Sequence, residues 1–166
     1  APSRSRLGVA AVSSALAFLV KPGSVFIIVG AFVALAILRR GVRSAITGRA
    51  TLVFVATTVL PTLVTYAVGV LSGRFLLGEA TKTMLPQLWV SRFFWQSWLD
   101  NIGLTVGLVL FVMALLGTLL VREGVPRALM IGLWIGYASF GLLFNYNFAT
   151  HDYYQLHLIP IAGLSL

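Results

Sequence analysis

The chain has 166 residues, 59% of them apolar and only 10% charged, with mean hydropathy +0.98, no cysteine and a formal net charge of +8. Globular domains average about 45–50% apolar and about 25% charged residues, and a chain this short lacks the interior volume to hide such a surplus from water. The low charge and the aromatic content exclude disorder, and the missing cysteines exclude disulfides, thiolate metal sites and cysteine nucleophiles.

What remains is an all-α, polytopic membrane protein. Apolar runs between short polar stretches predict a single transmembrane helix bundle of about five spans plus the start of a sixth. The first run covers residues 7–20 and ends at Lys21-Pro22-Gly23-Ser24. Arg4 and Arg6 ahead of it imitate a signal peptide, but no small-x-small cleavage site precedes Lys21-Pro22 and further apolar helices follow. The second run, 25–38, stops at Arg39-Arg40, and the third, 51–70, carries Pro61 as a kink. Residues 71–103 read as an external, interfacial, amphipathic segment. The fourth helix is 104–121, followed by the turn from Arg122 to Arg127; the fifth is 128–146, and the sixth begins near Tyr153 in 153–166.

At 1.5 Å per residue the first two runs reach roughly 21 Å, short of the ~30 Å hydrocarbon core. Either the bilayer thins there or the Lys21–Ser24 break sits below the outer surface, where irregular backbone is tolerated only against protein or a watery cavity. It is a candidate cavity floor. The pairs Gly69/Gly73, Gly103/Gly107 and Gly132/Gly136 have the spacing that lets helices approach closely. The chain starts at Ala1 and stops inside an apolar run, which reads as a piece of a longer polytopic protein.

Orientation follows from the arginines. Residues 39–49 carry Arg39, Arg40, Arg43 and Arg49 with no acid, and are placed in the cytoplasm. The turn with Arg122 and Arg127, and the start with Arg4 and Arg6, fall on the same side. Lys21-Pro22, the 71–103 segment (Arg74, Glu79, Lys82, Arg92 and Asp100, thinly spread) and residues 145–157 fall outside.

Few residues offer chemistry. Lys21 is flanked by apolar helices on both sides; it either snorkels to the headgroups or serves as a point charge for a phosphate. The stretch from Asn145 to Gln155 gathers polar and aromatic groups. In it His151 suits a proton shuttle, Asp152 a base or hydroxyl anchor, and Tyr153 and Tyr154 a sugar or phosphate contact. The bland alternative is a capping box from Asp152 to Gln155 with tyrosines of an interface belt. His157 fits a buried, hydrogen-bonded histidine better than a ligand. A metal site from His151, Asp152 and His157 is weak, since 151 and 157 do not share a helix face. Trp89, Phe93, Phe94, Trp95 and Trp98 have the i,i+4 spacings of a helix lying in the interface, either as an anchor or as a lid over a lipid-facing cavity. No Gly-rich phosphate loop, Gly-x-Ser-x-Gly elbow or His-Glu-x-x-His is present, and no carboxylate sits inside an apolar run, which weakens a proton-coupled transporter.

Two short motifs carry a family resemblance. Leu16-Ala17-Phe18-Leu19-Val20-Lys21-Pro22, followed by an apolar run and an Arg-rich turn, resembles the second half of polytopic C-type glycosyltransferases. Within that class it most resembles bacterial relatives of the dolichyl-phosphate-mannose protein mannosyltransferases and the aminoarabinose transferase. Thr150-His151-Asp152-Tyr153-Tyr154-Gln155-Leu156-His157-Leu158-Ile159-Pro160 is similar to the His-x-Tyr-Tyr…Pro stretch that begins a late helix there, and Leu85-Pro86…Trp89 fits the aromatic outer segment. The resemblance implies a bacterial inner-membrane transferase of the cell envelope. It would move a sugar from a polyprenyl-phosphate donor to a lipid, glycan or protein acceptor on the external side by inverting displacement, with membrane lipid as its surroundings and no cofactor or nucleic acid. An acidic base in a first external loop is expected; nothing here matches it, so this piece would not act alone. What carries over is donor-phosphate binding by Lys21, His151, Tyr153 and Tyr154, with Asp152 in support. The rival is a segment of a lipid or small-solute transporter, or flippase, without chemistry.

Overall fold

The computed structural model describes residues 4–74 and 84–166, and every regular element among them is helical. The order is α1 (Arg4–Val20), α2 (Ser24–Thr47), α3 (Arg49–Leu71), a 3-10 turn (Pro86–Val90), α4 (Arg92–Thr105), α5 (Leu108–Leu120), α6 (Val125–Leu143), α7 (Asn145–Thr150), a second 3-10 segment (Asp152–His157) and α8 (Leu158–Ser165). Three helices, α2, α3 and α6, are long and apolar enough to cross a membrane, and α4 with α5 forms a fourth such unit bent by 90°. This suggests an integral membrane protein. Residues 75–83 of the outer segment, Glu79 and Lys82 included, lie outside the described residues.

The principal packing runs between α2 and α6, with α1 on α3 and α5 on α8. Glycine lets α2 and α6 touch through their backbones. A Cβ on Gly136 would lie 2.5 Å from the Phe26 carbonyl oxygen, and one on Gly132 2.6 Å from that of Gly30. The small-residue reading of 132/136 therefore fits this contact. The other two pairs serve differently. Gly73 (φ 69) and Gly107 (φ 81) hold positive φ angles that other residues resist, with open space where a Cβ would go.

Several boundaries differ from the sequence-based expectation. The second helix does not stop at Arg39-Arg40: arginine is a good helix former, and α2 runs on to Thr47 with a break at Gly41 (φ 76, ψ 164). Although α1 extends back to Arg4, its 17 residues leave it among the shorter apolar helices, as expected, whereas α2 with 24 is long enough to span. At the third run, α3 passes through Pro61 as one helix. Residues 104 and 105 belong to α4; the fourth helix starts only at Leu108, after the Gly107 turn. In the fifth, α6 begins three residues early because Pro126 is accommodated in a first turn, where its missing N–H costs nothing. The sixth is a 3-10 segment before it becomes α8 at Leu158. Trp89 is separated from Phe93 by extended Ser91, so that pair shares no helix; the buried stripe of α4 is Phe94, Trp98 and Ile102.

The two ends of the bundle differ chemically. At one end lie the α1–α2 turn, the 3-10 turn and residues 142–157, stapled by side chains. Buried Asn145 uses both ends of its amide on Leu85, donating to its carbonyl at 2.8 Å and accepting from its N–H at 2.9 Å. Trp89 Nε1 donates to the Leu142 carbonyl at 2.9 Å, and Asn101 Nδ2 to that of Phe148 at 2.9 Å. At the opposite end are the α2–α3 and α5–α6 connections with their arginines. There Arg127 pairs with Glu123 at 2.9 Å and covers the carbonyls of Leu119 and Val121 that α5 leaves unpaired.

Candidate functional site

The site forms where the turn after α1 meets the segment after α7. Lys21 N closes α1 on the Ala17 carbonyl, and Pro22, lacking an N–H, stops the helix there. Ser24 N and Val25 N then donate back to the carbonyls of Lys21 and Pro22, opening α2. Gly23 rests on the edge of the buried Phe140 ring; any side chain there would collide with it.

The partner segment is fixed from behind. Trp98 Nε1 donates to the Tyr137 hydroxyl at 2.9 Å, and Tyr137 donates to Oε1 of Gln155, which is fully buried. Because Gln155 makes this inward bond, no capping box forms: Asp152 caps nothing, and the backbone from 152 to 157 takes the tighter 3-10 winding. Tyr153 and Tyr154 consequently face the α1–α2 turn. Lys21 Nζ donates to the Tyr153 carbonyl at 3.4 Å and stands 5.9 Å from the centroids of both tyrosine rings, within cation–π range. The two rings are 4.8 Å apart, and His151 closes the group at 5.3 Å from Tyr153 and 6.0 Å from Tyr154. His151 Nδ1 also meets the Thr150 hydroxyl at 2.8 Å.

Of the sequence-predicted residues, the structure gathers Lys21, His151, Tyr153 and Tyr154. Asp152 is exposed, and no bond joins its carboxylate to the group among the described residues. Sequence reasoning missed Ser24, which lies 3.3 Å from His157 Nε2, and the Trp98–Tyr137–Gln155 chain behind the site. It also missed Tyr66 of α3, whose charge would bear on Tyr154. These residue types are ordinary in membrane helices, and only their meeting in space marks them.

The electrostatics of the group follow from burial and from the charge of Lys21. Burial pushes the Lys21 ammonium down from its ordinary pKa, and no carboxylate pairs with it among the described residues. His157 is pushed down too, first by burial and then by the positive charge of Lys21. Tyr154 is pushed up to about 12, mainly by burial, and keeps its proton as a hydroxyl donor. An anion against Lys21 would relieve the first two penalties together.

An apolar groove of about 410 Å³ opens between α4, α5 and α6. Trp95, Trp98, Phe111, Leu115, Trp134 and Tyr137 line it, and the bend at Gly107 holds its walls apart. Trp98 and Tyr137 form both this wall and the chain that fixes Gln155. No protein-family profile, curated protein or solved structure matches the chain.

Proposed function

We propose that this chain is the donor-handling part of a polytopic membrane glycosyltransferase, with Lys21 holding the phosphate of a polyprenyl-phosphate sugar. One observation carries the proposal: Lys21, partly buried and with no carboxylate partner among the described residues, meets two tyrosines from 132 residues away, which His151 touches in turn, at the end of an apolar helical chain opposite the Arg39–Arg49 cluster. Counting α1, α2, α3, the α5 limb of the bent pair and α6 gives five crossings, with α8 opening a sixth. The arginine end then faces the cytoplasm of a bacterial inner membrane, and the site faces outward. During transfer the acceptor oxygen attacks the anomeric carbon, the bond from that carbon to the phosphate oxygen breaks, and its electron pair stays on the phosphate. Lys21 stabilises that growing charge, and the tyrosine hydroxyls can donate to the remaining oxygens. The acceptor's proton goes to an acidic base outside this chain.

In the full-length protein in lipid nanodiscs, Lys21→Ala is expected to weaken polyprenyl-phosphate binding about 10- to 100-fold, as for a lost hydrogen bond to a charged group, with Lys21→Arg intermediate. Unchanged binding and turnover in Lys21→Ala would remove Lys21 from the site.

The 90° break between α4 and α5 favours a second reading, a lipid transporter, since broken helices line many translocation paths. Movement of a labelled lipid across vesicles without a new glycosidic bond would select it.

A further inference from the structure

The α2–α3 connection is not a loop. Gly41 breaks α2 with φ 76 and ψ 164, and Gly48 turns the chain again with extended backbone (φ −66, ψ 134) directly before α3. Between these two glycines a helical segment, 42–47, about 9 Å long, is set off from the axes of both long helices. It is anchored on one side by Ala45, which is fully buried, while Val42 and Ile46, one turn apart, are each 59% exposed. Arg43 lies on the segment, Arg39 and Arg40 directly before it and Arg49 directly after it, all four exposed. None of them forms an ion pair among the described residues, and no Asp or Glu precedes Glu79 in the sequence. At the neighbouring α5–α6 connection, by contrast, Arg127 is neutralised by Glu123.

A topology signal requires only arginines near a helix end. Here the backbone does more: glycine breaks bound a short helical segment at both ends, with Val42 and Ile46 exposed on it and guanidinium groups without an ion pair among the described residues around it. That is the arrangement of a helix lying in the headgroup layer. Guanidinium groups bind phosphate through paired N–H donors. We propose that residues 39–49 form a binding site for the phosphate headgroups of anionic phospholipids in the leaflet at the arginine end, with Val42 and Ile46 seated among the acyl chains. The inference rests on the chain spanning a membrane, but not on the transferase reading.

The test is native mass spectrometry of the full-length protein released from nanodiscs holding equal amounts of phosphatidylglycerol and phosphatidylcholine. Wild type is expected to retain phosphatidylglycerol preferentially. The preference should fall about fivefold for each charge removed in the series Arg39→Gln, Arg40→Gln, Arg43→Gln, survive replacement of the same residues by Lys in weakened form, and stay unchanged in Arg92→Gln at the other end. Equal retention of the two lipids by wild type, or an undiminished preference in the triple Gln variant, would overturn the site. Recovery of the protein in the soluble fraction after an alkaline wash of membranes would instead overturn the membrane reading beneath it.

Discussion

At the scale of single residues, the positive charge of Lys21 bears on His157 through space. His157 reaches Ser24 with Nε2, while its buried Nδ1 makes no well-aligned hydrogen bond among the described residues, so protonating the ring would place a second, poorly solvated charge near Lys21. Its folded pKa is depressed below 6.5, so between that depressed value and 6.5 the unfolded chain binds more protons than the folded one. The stabilisation from a neutral His157 is therefore complete above pH 6.5 and is lost as pH falls through the window towards the folded pKa. Thermal melts of the detergent-solubilised protein from pH 8 to pH 5 should show this loss, and His157→Gln should flatten it; an equally steep profile in the variant would assign the effect elsewhere. Lys21, Tyr153 and Tyr154 were legible in the sequence because a charge and a tyrosine pair stand out in an apolar chain. Gln155 was legible only as a capping residue, because nothing in the sequence shows that the Tyr137 hydroxyl, on another helix, accepts from Trp98 and donates to Gln155.

At the scale of elements, glycine decides the architecture in two ways, and only one can be read from spacing. Four-residue spacing at Gly132 and Gly136 marked a close helix contact, because that property repeats along a helix face. Gly41 and Gly107 occupy positive-φ turns, and spacing does not tell such a glycine from a packing one: Gly107 stands to Gly103 as Gly136 stands to Gly132. The fourth helix therefore begins later than its apolar run predicts, whereas α2 outruns its prediction because Arg39 and Arg40 continue the helix. The close contact makes a quantitative prediction. In Gly136→Ala the new methyl would meet backbone on α2, at 2.5 Å from the Phe26 oxygen and 2.6 Å from the Ile27 Cα, and backbone cannot step aside as a side-chain tip can. The cost is expected at about 1–3 kcal/mol, the range for overpacking, read as a lowered melting temperature in detergent. Gly8→Ala, with open space around the new methyl, should leave the melt unchanged or slightly raised through helix propensity.

At the scale of the whole molecule, the arginine rule and the side-chain staples reach the same arrangement by independent routes. The rule weighs charges against the membrane and uses no coordinates. The staples bring Leu85 to Asn145, Trp89 to Leu142 and Lys21 to Tyr153, and say nothing of which side is the cytoplasm. If both hold, single cysteines introduced into this cysteine-free sequence divide into two classes. In the full-length protein, with any other cysteines replaced, Arg43→Cys and Arg122→Cys should react with a membrane-impermeant maleimide only in inverted vesicles. Gln87→Cys and Asp152→Cys should react only in right-side-out cells. All four positions are exposed, so protection reports sidedness rather than burial. Arg122→Cys and Asp152→Cys labelled from one side would be incompatible with α6 crossing the bilayer, because α6 is the long helix between them. Lys21 and the tyrosines would then lie on the same side of the membrane as those arginines.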